Sequence, residues 1–165
     1  MPWKILIPLA LPVILVSFFI LFYIRTPHAR KDAVVLADFT NSTKDPTLNA
    51  SLKQALALDL KRPGFPHILS DAEISESLRL MGRSSGVPMT EDLARDVCRR
   101  TGSKAVLAGS ISKPDGEYLV RLKASGCGIG EVVAEAEAQA SGEEGVLDAL
   151  HVAASDLRAK LVESR

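Results

Sequence analysis

Aromatic side chains are scarce in this chain, with one Trp, two Tyr and five Phe among 165 residues. Trp3, Phe18, Phe19, Phe22 and Tyr23 fall within the first 24 residues, leaving Phe39, Phe65 and Tyr118 for all that follows. A globular core must therefore be mainly aliphatic. Cysteine is limited to Cys98 and Cys127, without CxxC spacing or a nearby histidine pair, which excludes a zinc-ligand pattern. Charge of one sign is not in excess either, because 20 Lys+Arg balance 20 Asp+Glu. A nucleic-acid partner needs a basic face, so none is expected. There is no internal repeat and no low-complexity tract. Gly109-Ser110-Ile111-Ser112 lacks the second glycine of a nucleophile elbow. Gly126-Cys127-Gly128-Ile129-Gly130 precedes a strand, whereas a phosphate-binding loop opens a helix. His28, His67 and His151 join no nucleophile pattern. No catalytic residue, cofactor or metal is expected.

What the chain does have is a long apolar run. Ile5–Ile24 contains no charged residue and, as a helix, spans about 30 Å, the thickness of a bilayer's hydrocarbon core. Lys4 and Arg25 bracket it, and Trp3 and Tyr23 stand at interfacial depth. The run is too long for a signal peptide and has no small-residue cleavage site. Residues 1–25 are expected to form a transmembrane anchor, 26–32 a polar linker, and 33–163 a folded domain.

Within the domain, Ala33–Phe39 reads as a strand buried on both faces, and Thr40–Lys44 as a loop. Asp45-Pro46 opens a helix as N-cap and first residue, with Leu48, Leu52, Ala55, Leu56 and Leu60 on one face. His67–Ser70 is a short strand, and Ser70-Asp71-Ala72-Glu73 a capping box before Ile74, Leu78 and Met81. A third helix follows Thr90, buries Leu93 and Val97, and ends at Gly102. Lys104–Ser112 is a central strand. A turn at Lys113–Gly116 joins it to the alternating strand Glu117–Ser125, with Ser112 expected opposite Glu117. In Glu131–Ala140, Val132 and four alanines alternate with glutamates, which marks an edge strand. Ser141–Glu144 has capping-box spacing before a helix striped by Leu147, Leu150, Ala154, Leu157 and Leu161. The expected class is α/β: a mixed sheet in βαβααβββα order with packed helices, preceded by one transmembrane helix.

Two groups of residues are singled out. Asp38, Thr40 and Asn41 sit at the carboxyl end of the first strand, where α/β sheets often bind ligands, although capping and turn formation account for the same residues. Cys98 and Cys127 come close in the expected pairing, but regular alternation turns Cys127 away from the Tyr118–Ala124 face. Two reduced thiols are therefore the expectation, and a disulfide the alternative.

The segments VVLADFTN (34–41), LKQALA (52–57), ILSD (68–71), LRLMGR (78–83) and CRRTGSKAVLAGSI (98–111) together resemble a domain of bacterial membrane proteins similar to the amino-terminal domain of TolB. In that family the domain commonly lies between a transmembrane helix and tetratricopeptide repeats. Kinase or winged-helix domains stand before the membrane helix in many members, and nothing of this chain matches them. The resemblance implies a non-catalytic interaction or sensory module that binds protein or envelope components, a tetratricopeptide-repeat protein among the possible partners. It also implies an inner-membrane protein with a periplasmic domain. The flanking charges, Arg25, Arg30 and Lys31 against Lys4, would instead place the domain in the cytoplasm. The alternatives in function are a hydrolase using the Asp38 carboxylate and a remnant of a larger repeat-containing receptor.

Overall fold

The computed structural model describes residues 33–62 and 65–163. The span expected over Ile5–Ile24 lies outside them; among the described residues no helix is long and apolar enough to cross a membrane. Six strands and four helices are present among the described residues: β1 (Ala33–Leu36), β2 (Thr40–Asn41), α1 (Leu48–Asp59), β3 (His67–Ile68), α2 (Asp71–Leu80), α3 (Glu91–Thr101), β4 (Ala105–Ser112), β5 (Tyr118–Gly126), β6 (Val132–Ala140) and α4 (Val146–Glu163). The sheet order is β3-β1-β4-β5-β6, with β2 also paired to β4. β1 is parallel to β3 and to β4, while β4–β5 and β5–β6 are antiparallel. The mixed sheet expected from the sequence is the one observed, with β6 at its edge.

Alternation along β1 and β4 divides the interior into two cores. Leu36, Leu107 and Ile111 join Leu52 and Leu56 of α1 and Leu150, Ala153 and Leu157 of α4 on one face. Val35, Ala37 and Val106 join Leu78 of α2 and Leu93, Val97 and Cys98 of α3 on the other. The helices cover that second face mainly over β1 and β4, and α3 reaches the near part of β5 through the Glu91–Lys123 ion pair. Over the rest of β5 and over β6 it is open, and Arg121 there bridges Glu137 and Glu135. Hydrogen bonding to Glu137, helped by both negative charges, lifts the Arg121 pKa above its ordinary value.

Several local expectations are corrected. The first strand ends at Leu36 rather than Phe39, and Thr40–Asn41 forms a two-residue strand where a loop was expected. The helix after Asp45-Pro46 begins at Leu48. Asp45 instead accepts hydrogen bonds from the Thr47 N–H and hydroxyl, which hold its carboxyl below the usual range. The Ser70–Glu73 capping box is formed, and Thr90 accepts from Leu93 N–H. Gly102 closes α3 in the left-handed region, at φ 67°. The second capping box, at Ser141–Glu144, does not form: a short 3-10 turn over Glu143–Gly145 leads into α4, and Leu147 is exposed. In the hairpin Ser112 faces Leu119 rather than Glu117, because Pro114–Gly116 coils as a 3-10 turn closed by Glu117 N–H to the Pro114 carbonyl. A register slip at Ala124/Ser125 leaves both Val132 and Val133 exposed, where strict alternation had put Val132 inside.

The scarcity of aromatics concentrates demand on Phe39, whose buried ring lies flat over Gly109 of β4. A Cβ at Gly109 would fall inside van der Waals contact of three ring atoms. Gly109→Ala is expected to destabilise the domain by about 1–3 kcal/mol through overpacking. Urea unfolding measures this, and Phe39→Leu in the same chain should restore part of the loss.

Candidate functional site

The carboxyl end of β1 carries Asp38, and the structure uses it as a clamp. Its N–H donates to the Met89 carbonyl at 2.8 Å, and its Oδ2 accepts from Met89 N–H at 2.7 Å. Its Oδ1 pairs with Lys53 Nζ of α1. One residue thus ties β1 to the segment leading into α3 and to α1. Both carboxylate oxygens are engaged, so a general-base role would first have to break this clamp.

Thr40 and Asn41 belong to a separate arrangement. Thr40 pairs with Ser110 of β4 and is exposed. Asn41 Oδ1 accepts from Thr43 N–H at 2.7 Å and from its hydroxyl at 2.6 Å, while its amide donates to the Asp45 carbonyl at 2.6 Å. This is a turn lock that orients the entry to α1. The cleft beside Asp38, about 160 Å³, is lined by Lys53, Asp71, Ser75 and Ser85 but not by Thr40 or Asn41. The three candidate residues are therefore not brought together in one pocket.

A larger feature adjoins that cleft and shares Leu36, Lys53, Asp71 and Ile74 with it. It is an open groove of about 990 Å³ between α1 and α2, with Ile68 and Leu69 on its floor and Phe65 and Pro66 at one end. Lys53, Lys61, Arg62 and His67 make its rim predominantly basic, against Asp71. β3 borders it as the last strand of the sheet. Leu69 N–H is turned inward to the Val34 carbonyl, at 3.0 Å. By strand alternation the N–H and C=O of Ile68 point the other way, off the sheet edge. The sequence reading identified the β3 strand but missed the groove. The adjacent Pro66 and the Lys61-Arg62 pair were the available signals.

The remaining titratable groups do not assemble a catalytic set. His67 lies 3.8 Å from Glu73, and His151 Nδ1 3.1 Å from Asp59. Among the described residues no three His, Cys, Asp or Glu side chains group as metal ligands. Cys98 and Cys127 are joined as a disulfide, with Cα atoms 5.5 Å apart. Regular alternation turns Cys127 away from the Tyr118–Ala124 face, which counts against the bond only if α3 lies on that face. α3 instead packs on the opposite face of the sheet, so the outward turn of Cys127 aims it at Cys98.

Two predictions follow from these contacts. Asp38→Asn keeps an acceptor for Met89 N–H and loses only a half-exposed ion pair, so it should cost below about 1 kcal/mol. Asp38→Ala leaves that N–H without its partner and should cost about 1–3 kcal/mol in urea unfolding. For the cysteines, thiol titration of unreduced, denatured protein from an oxidising compartment is expected to find none free. Replacing both by serine should lower stability by about 3.5 kcal/mol in the chain-entropy model.

Neither a protein-family model nor a curated protein sequence matches the chain. Solved structures do match its fold. The LpoB C-terminal domain from Escherichia coli aligns with a TM-score of 0.60 and 18% identity over 68% of this chain and 84% of that one. Its counterpart from Salmonella enterica gives 0.59 and 16% over the same shares. The lipoprotein GNA1162 from Neisseria meningitidis gives 0.53 and 14% over 78% of this chain and 96% of that one. These likenesses correct the expected TolB resemblance: the fold shown is the one shared with the LpoB C-terminal domain and with a neisserial lipoprotein.

Proposed function

We propose that this chain is a non-catalytic protein-binding module of the bacterial envelope, tethered by residues 1–25 and linked through 26–32 to a periplasmic domain. Its binding site is the groove beside β3, where a partner adds an extended segment to the free sheet edge. The outward N–H and C=O of Ile68, set in the floor of an open groove, carry this reading. The apolar floor accepts alternate side chains of an added strand, and the basic rim favours an acidic segment. The fold shared with a bacterial lipoprotein supports the location. So does the Cys98–Cys127 disulfide, a bond that persists in oxidising compartments. The commitment of both Asp38 oxygens disfavours the hydrolase reading.

Two measurements in cells test the proposal. A topology reporter fused after Arg165 should be active only as a periplasmic reporter. A photo-crosslinking residue at Gln54, on the groove wall, should trap a specific protein, whereas one at Arg121 on the open sheet face should not. A tetratricopeptide-repeat protein in that adduct would match the sequence resemblance. Ile68→Pro removes the outward donor together with a side chain packed against the core, so Ile68→Ala serves as the packing control: the proline variant should abolish the adduct and the alanine variant should keep it. An adduct that survives Ile68→Pro would rule out strand addition.

A further inference from the structure

The strand directions gather one end of the molecule where the chain enters the fold. β1 begins there at Ala33, whose carbonyl accepts from Lys104 N–H at 2.7 Å just after α3 has ended. Phe65 and Pro66, which follow α1, and Val162, near the end of α4, lie there beside Val34 and Ala105. The β5–β6 turn closes at the same end, because Gly126 is paired with Ala105.

This end is apolar and basic. Ile129, at the tip of the β5–β6 turn, is 92% exposed, and Val132, Val133 and Val162 are 54%, 40% and 55% exposed. The register slip in β6 leaves both valines exposed close to the tip. Lys104 and Arg158 stand beside Val133 and Val162, Arg100 lies in the last turn of α3, Lys61 follows α1, and Arg95, paired with Glu91 and Asp92, approaches Gly130; Glu131 and Glu163 add negative charge. The opposite end carries Asp45, Asp115, Glu117, Glu143 and Glu144 against Lys44 and Lys113. Exposed apolar side chains ringed by cations fit the boundary of an anionic bilayer, where side chains of each kind find their own layer.

We infer that this end, with Ile129 at its tip, docks on the anionic surface of the membrane that holds the chain. The inference rests on the proposed tether. A linker of residues 26–32 reaches at most about 25 Å, so the entry end is the part of the domain kept against the bilayer. Docking there fixes the orientation of the domain and leaves the acidic end facing away from the membrane.

The test uses the full chain in vesicles with brominated acyl chains, either phosphatidylglycerol mixed with phosphatidylcholine or phosphatidylcholine alone. Trp3→Phe removes the native indole. Ile129→Trp then places a single reporter at the tip, and Glu117→Trp a control at the far end. The tip indole should be quenched about threefold or more beyond the control in anionic vesicles. Arg100→Ala and Lys104→Ala should each weaken docking by about fivefold. Flotation after carbonate extraction reads the tether separately. Chains that float while tip and control are quenched equally would overturn docking and leave the tether standing. Tip quenching without carbonate resistance would overturn the tether and keep docking. If the chain does not float and neither indole is quenched, both readings fail. A tip fluorescence shift that follows protein concentration rather than lipid would assign the surface to a second copy and overturn the proposal.

Discussion

A parallel pair of strands, β1 and β4, occupies the middle of the sheet, and the rest of the fold is arranged around covering it. Val35 and Val106 are fully buried on one side, and Leu36 and Leu107 nearly so on the other. Each pair must be shielded from water, so helices are needed on both faces. α1 and α4 supply one cover, α2 and α3 the other. β6 and the far part of β5 lie beyond α2 and α3, which is why their second face is polar and closed by ion pairs rather than by packing.

The same constraint places the functional features. β1 must end where its covering helices begin, and Asp38 sits at that point with its backbone and both carboxylate oxygens in use. β3, on the other flank of β1, is only two residues long and leaves α1 and α2 standing apart over a shallow edge. The groove is the space left over when two helices of different cores meet at a short border strand. Its basic rim comes from Lys61 and Arg62 just after α1, where cations complement the carboxyl end of a helix.

Much of this was legible in the residues. The doubly apolar run at Ala33–Leu36, the Ser70–Glu73 box, the αL glycine after α3 and the alternating alanines of β6 each reflect a local rule that the fold obeys. The failures all arise where a local rule meets a distant partner. Ser141–Glu144 has the right spacing for a cap, but the chain enters α4 through a 3-10 turn that delivers Val146 into the core. The hairpin pairing depended on how the Pro114–Gly116 turn coils, which residue type alone leaves open. The clamp at Asp38 was not legible because nothing in the sequence announces Met89, 51 positions later, as its partner. For the cysteines the alternation was read correctly, but the sequence does not say which face α3 covers.

The place of β1 has a mechanical consequence. The strand begins at the entry end and runs inward between β3 and β4, and α4 finishes at that same end. A force transmitted through the residues before Ala33 would therefore pull along the strand axis. The ladders on either side would be loaded together in shear instead of opening one bond at a time. An antiparallel edge strand such as β6, loaded across its ladder from one end, would unzip under a smaller load. A chain held through this strand would thus be connected at the part of the sheet that yields last.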